Sequence, residues 1–376
     1  MKKEAKKTLI SFGLASGLND LGADMIKPFW PAFVTGVLGA PVAFLGLLDG
    51  LGDAIAYGVR FPAGLIADKI RKYKIFIWLG YLFAGLSKIG YALSKIAFLL
   101  LPFKILDRLG KARDPPRDAL LAKVIPKDQR GYAFGFLTAA DNLGATLAPL
   151  LALVLFPLLG YRKLFAFAAI PSLIGAALLI LLIKERKAKD FLPLKFEFNK
   201  KFVLLTLVSI VFGISWFSIS FLILFANQTI PIRLNPILLF LTSAAAVAGS
   251  WSSGMISDRI GRKLVYAFGF IIWSAICFFA AILKELNIFT ALIFFLAYGI
   301  QFGIITTIQS PFIADIVEEN QRATSLGFLQ TLFGFSLLIA SLIAGLLWDF
   351  LSPIATFYFG FIFSLLAIAL IFIFKI

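Results

Sequence analysis

The stretch GMISDRIGRK, residues 254–263, closes one long apolar run, and GLIADKIRKYK, residues 64–74, closes another in the first half of the chain. Both set a glycine one helical turn before an aspartate. A second pair of landmarks, Gln129-Arg130 with Gly135-Phe136, returns as Gln321-Arg322 with Gly327-Phe328 at nearly the same offset. Two landmarks sharing one offset point to a duplicated chain. In a duplicated membrane protein, any site is expected where the two halves face each other, near the middle of the bilayer.

Outward from these loops the chain is 60% hydrophobic over 376 residues, above the apolar share of ordinary globular domains. A helix needs about 20 apolar residues to cross a bilayer, and the runs divide into twelve such spans. Six lie near 8–36, 41–66, 75–94, 96–120, 131–157 and 160–183. Six more lie near 202–226, 234–256, 264–283, 288–314, 324–348 and 353–374. The polar segment KERKAKDFLPLKFEFNKK (184–201) stands between the two sets. The expected fold is an all-α membrane protein with twelve transmembrane helices in two pseudo-symmetric six-helix bundles. Residues 1–183 form the first bundle, 184–201 a cytoplasmic linker and 202–376 the second.

Charge placement gives the orientation. The chain holds 36 Lys and Arg against 20 Asp and Glu, a net charge of +16. Only Lys95, Arg162, Lys163, Arg233 and Lys284 fall in the loops of one side. The N-terminus, the remaining loops, the linker and the C-terminus hold most of the others. By the positive-inside rule both termini are expected in the cytoplasm. A basic balance explained by topology leaves no ground for a nucleic-acid partner. The opening MKKEAKK leads into an apolar run without a small-residue cleavage site, so no cleaved leader is expected.

Residues 254–263 carry the full pattern Gly-x-x-x-Asp-Arg-x-Gly-Arg-Lys, and on it the chain resembles the major facilitator superfamily along its whole length. The copy at 64–74 departs from the pattern, with Lys69 in place of the arginine and Arg71 in place of the next glycine. The resemblance implies gating loops at Gly64, Asp68, Lys69, Gly254, Asp258, Arg259, Gly261 and Arg262. It also implies a small-molecule substrate, a monomer, and a place in the lipid bilayer of the cell membrane. An aspartate at a helix end can pair with basic residues or cap the next helix, holding one packing until the contact breaks. SGLNDLGADMIKPFWP (16–31), DRLGKARDPPRDALLA (107–122), RGYAFGF (130–136) and DNLGATLAP (141–149) are similar to an uncharacterised prokaryotic subgroup that includes a magnetosome-associated transporter.

What sets this chain apart from a plain apolar bundle is LLLPFKILDRLGKARDPPRDALLA (99–122), a span full of charge. Charges inside a bilayer are costly, so they face a bundle interior or an aqueous cavity and pair with one another. Asp20, Asp24 and Lys27 share one face of span one, and Asp49, Asp53 and Arg60 one face of span two. Lys88 lies in span three and Asp141-Asn142 in span five. At a rise of ~1.5 Å per residue, Asp20, Asp53, Arg108 and Asp141 all fall near mid-bilayer. The candidate substrate and proton-coupling set is therefore Asp20, Asp24, Asp49, Asp53, Arg108, Asp141 and Asn142. Arg113, Asp114, Arg117 and Asp118 are expected to pin helices by ion pairing. The second half offers a milder wall of aromatics and amides, among them Asn227, Gln301, Gln309 and Gln330.

These features suggest a secondary transporter that works by alternating access and couples a polar or charged small molecule to protons. A metal-cation transporter, drawn from the carboxylates, and a non-transporting sensor or scaffold are the alternatives. The chain has no histidine, and its one cysteine, Cys277, rules out an intrachain disulfide. No nucleophile motif and no phosphate-binding glycine loop is present, so neither an enzyme activity nor a resident metal or cofactor is expected.

Overall fold

The structure, a computed structural model, describes residues 3–70, 72–183, 185, 199–318 and 321–374. Helix α1 (Lys3–Ile26) stops just before Pro28, whose ring clashes with a continuing helix. A short turn, α2 (Trp30–Ala32), and a π-helical stretch at Phe33–Val37 complete the first crossing. Helices α3 (Val42–Gly58) and α4 (Arg60–Ile70) make the second crossing, and α5 (Lys74–Leu93) the third. The charged span is α6 (Leu100–Leu109), a 3-10 turn at Gly110–Arg113, and α7 (Asp114–Val124). Helix α8 (Arg130–Leu182) holds two crossings, because the chain folds back at Gly160, where φ is 63° and a side chain would be strained.

The remaining helices are α9 (Lys200–Ser215), α10 (Ile219–Ala226), α11 (Asn235–Ile260), α12 (Arg262–Leu283), α13 (Ile288–Ile316), α14 (Arg322–Phe350) and α15 (Pro353–Ile373). Among the described residues, nine helical segments are long and apolar enough to cross a membrane. One of them, Lys127–Leu182, crosses twice; α1 and the α6–α7 span escape that tally through their charges. Together they give the twelve-helix architecture. Side chains such as Leu158, Trp251 and Phe350 point outward and exposed, as a lipid-facing surface requires.

By contact the chain falls into two compact units, Met1–Trp30 with Val59–Leu192 and Pro31–Gly58 with Pro193–Ile376. This grouping puts α3 with the second unit, whereas the sequence repeat counts it in the first half. Most of the expected linker, 184–201, lies outside the described residues.

In the first unit α1 packs along both arms of α8 through small residues. A methyl group at Gly144 would collide with the Gly17 carbonyl, so the two backbones touch there. Leu9, Phe12, Tyr81, Leu120 and Leu137 fill the core beside this contact. In the second unit α3 packs on α14, α11 on α13 and α12 on α15. Gly46 of α3 faces the Ser341 backbone with no room for a side chain. The Asp349 carboxylate at the end of α14 caps the start of α3, accepting from the Val42 and Ala43 N–H groups at 3.0 and 2.7 Å.

The expected single span at 202–226 is in fact interrupted. Helix α9 ends at Ser215 and α10 starts at Ile219, with Trp216, Phe217 and Ser218 non-helical between them. The freed groups find partners in the same unit. The Ser215 carbonyl accepts from Trp273 Nε1 at 2.9 Å, and Ser218 N–H donates to Ser341 Oγ at 3.2 Å.

Candidate functional site

The charged span meets α1 and α8 in the first unit, and Asp20 stands at the middle of the meeting. It accepts a hydrogen bond from Asn19 Nδ2 at 3.1 Å. Its charge is felt at Asp24, Lys88, Lys111, Arg113 and Asp141. Helix spacing explains the choice of Ser16, Asp20 and Asp24, which recur on one face of α1 a turn apart. Arg117 reaches this group from α7. Its Nη1 donates to Ser16 Oγ at 2.9 Å and lies 3.8 Å from Asp141 Oδ2, while its Nε bonds Asp118 at 2.9 Å. Ser16 also lies close to Asp141, so the serine hydroxyl stands beside both guanidinium and carboxylate. The other Asp141 oxygen is buried without a hydrogen bond, as is the Asn19 carbonyl oxygen.

Around this centre the remaining charges pair off. Asp114 collects Arg60 at 3.3 Å, Arg113 at 3.7 Å and Arg117 at 4.0 Å. Arg113 is 2% exposed, stacked on Tyr81 at 4.3 Å and bonded to the Gly110 carbonyl at 3.0 Å, a packing role. Lys88 is buried, donating to the Ala84 carbonyl at 2.8 Å and to Ser172 Oγ at 3.0 Å. Asp24 pairs with Lys27 at 2.6 Å, and Arg108 with Asp107 at 3.5 Å. Asn142 is exposed on α8 and takes no part in these contacts.

Asp49 and Asp53 belong to the second unit. The Asp49 carboxylate accepts from Ser218 Oγ at 2.9 Å and Ser220 Oγ at 2.5 Å, which ties α3 to the break between α9 and α10. Asp53, one turn further along α3, lies within electrostatic reach of the Tyr298 hydroxyl.

The two motif loops are built differently. In the second, Arg262 bridges Asp258 at 2.5 Å and Asp315 at 3.3 Å and also bonds Ser257 Oγ. Gly261 has φ 96°, which explains a glycine there, while Gly254 faces open space and Arg259 is exposed. In the first loop Asp68 is held by a tyrosine. Tyr73 donates its hydroxyl to Asp68 at 2.5 Å and accepts from Lys123 Nζ at 3.2 Å. Glu185 caps α5, accepting from the Tyr73 and Lys74 N–H groups at 2.8 and 3.1 Å. Gly64 lies beside Pro115, Lys69 is exposed, and Arg71 is outside the described residues.

Sequence reasoning found the charged residues but not the hydroxyls that connect them: Ser16, Ser172, Ser218, Ser220 and Tyr73. For Ser16 a signal existed, its place one turn before Asp20. For Ser218 and Ser220 the partner comes from another helix, and no local pattern marks it.

The Major Facilitator Superfamily profile matches residues 12–254 and 205–376. An uncharacterized MFS-type transporter of Methanocaldococcus jannaschii is 34% identical, over 97% of this chain and 94% of its own. The multi-drug resistance efflux pump PmrA of Streptococcus pneumoniae is 28% identical over 48% of this chain and 45% of its own. Among solved structures, a bacterial homolog of the human lysosomal transporter Spinster, inward-facing and unoccupied, superposes with a TM-score of 0.78. That match covers 99% of this chain and 97% of the other at 16% identity, a likeness of fold alone.

Proposed function

The chain belongs to the major facilitator superfamily, a multi-pass membrane transporter, and on that premise we propose that it couples a polar or charged small molecule to protons by alternating access. The observation that supports the coupling is Arg117 bonded to Ser16 of α1 and 3.8 Å from Asp141 of α8, with Asp20 and Lys111 within electrostatic reach. Two carboxylates gathered in one place repel each other and share the neighbouring cations. A proton added to Asp141 weakens its hold on Arg117, which then rests on Asp114 and Asp118 within α7. That change loosens α7 from α1 and α8. A protonation step thus becomes a packing step, which is what alternating access needs. The moving bodies in this reading are the six-helix halves 1–183 and 202–376 of a monomer. Its basic loops and both termini face the cytoplasm of the cell.

Passage of a metal cation, suggested by the carboxylates and by the likeness to a magnetosome-associated subgroup, has less support. Among the described residues no three acidic or cysteine side chains come close enough to hold a metal, and the carboxylates of the first unit lie among cations.

Proteoliposomes loaded with a pH-sensitive dye and challenged with a panel of organic ions and divalent metals test the proposal. Solute-dependent proton movement is expected from the wild type and none from Asp20→Asn or Asp141→Asn. Undiminished movement in both variants would remove these residues from the coupling step.

A further inference from the structure

Helix α6 does not run straight into α7. Pro115 and Pro116 remove two N–H donors, and the chain ahead of them tightens into the 3-10 turn Gly110–Arg113, where the Asp114 N–H reaches the Lys111 carbonyl. Lys111 stands roughly eleven residues, ~17 Å, past the start of α6, near mid-bilayer. Irregular backbone at that depth is tolerated only inside protein or beside a cavity, and interrupted helices in transporters lie where substrate and ions are held. One side of the turn is closed. Its Gly110 carbonyl leaves no room for a side chain at Gly80 of α5, and Arg113 stacks on Tyr81 of the same helix. Lys111 is half-buried and lies within electrostatic reach of Asp20 and Asp24 of α1.

A lattice that only pinned helices would give each cation its own carboxylate. Asp24 is taken by Lys27, Asp107 by Arg108, Asp114 by Arg60 and Arg113, and Asp118 and Asp141 by Arg117. Lys111 stands apart. Among the described residues no carboxylate oxygen lies within 4.0 Å of its Nζ, which makes no hydrogen bond either. Asp114, also within its reach, already serves three guanidinium groups. Asp20 is the remaining counter-charge, and the buried Lys88, bonded to the neutral Ala84 carbonyl and Ser172 hydroxyl, leans on it as well as on Asp107. Two ammonium groups thus draw on one carboxylate. A surplus charge at mid-bilayer is costly, and such residues are retained for function.

We propose that Lys111 holds the carboxylate of a monoanionic organic substrate, the substrate class of the transporter proposed above, and the physiological meaning of the site rests on that reading. An ammonium is a compact point charge with three donors, suited to one anionic group rather than to the forked recognition that arginine gives. One surplus ammonium calls for one negative charge, so a neutral analogue of the same shape finds no counterpart here. Around Asp20 stand Asp24 of α1, Lys88 of α5, Lys111 and Arg113 of the turn, and Asp141 of α8. Asp20 and the bound carboxylate compete for Lys111, so a proton taken up by Asp20 frees the ammonium and favours the anion. By linkage the anion favours that proton equally, which is the coupling a proton-driven carrier requires.

The test is a melting-temperature titration of the purified full-length protein in detergent with lactate, benzoate and hexanoate, each set against its neutral amide. At least one carboxylate should raise the melting temperature saturably while its amide does not. Lys111→Gln should weaken that binding by about tenfold or more. Lys111→Arg, which keeps the charge, should still bind, and Asp20→Asn, which removes the competing carboxylate, should bind at least as tightly as the wild type. No saturable shift from any of the three, an equal shift from the amide, or wild-type affinity in Lys111→Gln would overturn the site. The melting curve without ligand shows that each variant folds; should Lys111→Gln fail to, Lys111→Met removes the same charge and keeps the apolar stem. The assay uses no gradient, so a failure of proton movement in vesicles leaves this site standing, and a failure here leaves the coupling group standing.

Discussion

Arg117 shows why the nature of a charged residue is legible in sequence while its role is not. Its spacing from Asp114 and its neighbour Asp118 suggest a local ion-pair lattice, and both contacts exist. The same guanidinium also reaches Ser16 on α1 and Asp141 on α8, contacts that no spacing within 99–122 can reveal. Arg117 is 8% exposed, and removing it leaves the partly buried Asp114, Asp118 and Asp141 short of a cation. Breaking a fully buried pair from one side typically costs about 3–5 kcal/mol, and the solvent that reaches these carboxylates holds the cost below that. Arg117→Ala should therefore lower the melting temperature in detergent. Asp141→Asn placed on top should recover part of the loss, because it removes a stranded charge. A double variant whose effects simply add would show that the two residues do not interact. Arg117→Lys should recover little, since the contacts leave from two guanidinium nitrogens, Nε and Nη1, and lysine offers one.

At the scale of elements, the interruptions divide into those with a chemical mark and those without. Pro28 and Gly160 mark the end of α1 and the fold-back of α8. Trp216-Phe217-Ser218 holds neither proline nor glycine, so apolar periodicity runs straight through it. Trp273, Ser341 and Asp49 open that helix from outside. The first motif loop gives a similar lesson: Tyr73 takes the part that Arg262 plays in the second. Burial first, and then the bond to Asp68, pushes the Tyr73 hydroxyl above its ordinary value of 10.0. The folded protein thus holds this proton more tightly than the unfolded chain does. Its stabilisation is complete below about pH 10 and declines as pH rises further. The gap in melting temperature between wild type and Tyr73→Phe should be widest near neutrality and shrink above about pH 10. A gap that holds constant over that range would mean that the hydroxyl contributes nothing to the latch.

For the whole molecule, apolarity alone accounts for most of the crossings, and the exceptions are instructive. Helix α1 and the α6–α7 span carry most of the residues proposed for coupling, and their charges also hide them from a hydropathy count. The repeated loops supply the missing reason to count them as spans, because a duplicated half must have the same number of crossings as its copy. The proposed orientation rests on the remaining charges, since five basic residues at Lys95, Arg162, Lys163, Arg233 and Lys284 oppose a far larger number in the other loops. The single cysteine makes this measurable. Cys277 is fully buried, so Cys277→Ala gives a background without thiols at the cost of a small packing defect. Into it Lys95→Cys and Lys284→Cys place thiols in the sparsely charged loops, and Lys6→Cys and Lys127→Cys place them in the basic ends. A membrane-impermeant maleimide added to intact cells should label the first two and reach the others only after permeabilisation. Labelling in the reverse order would invert the topology. The carboxylates of α1 and α8 would then take up their protons from the opposite face, and a gradient that drives uptake in one orientation would drive export in the other.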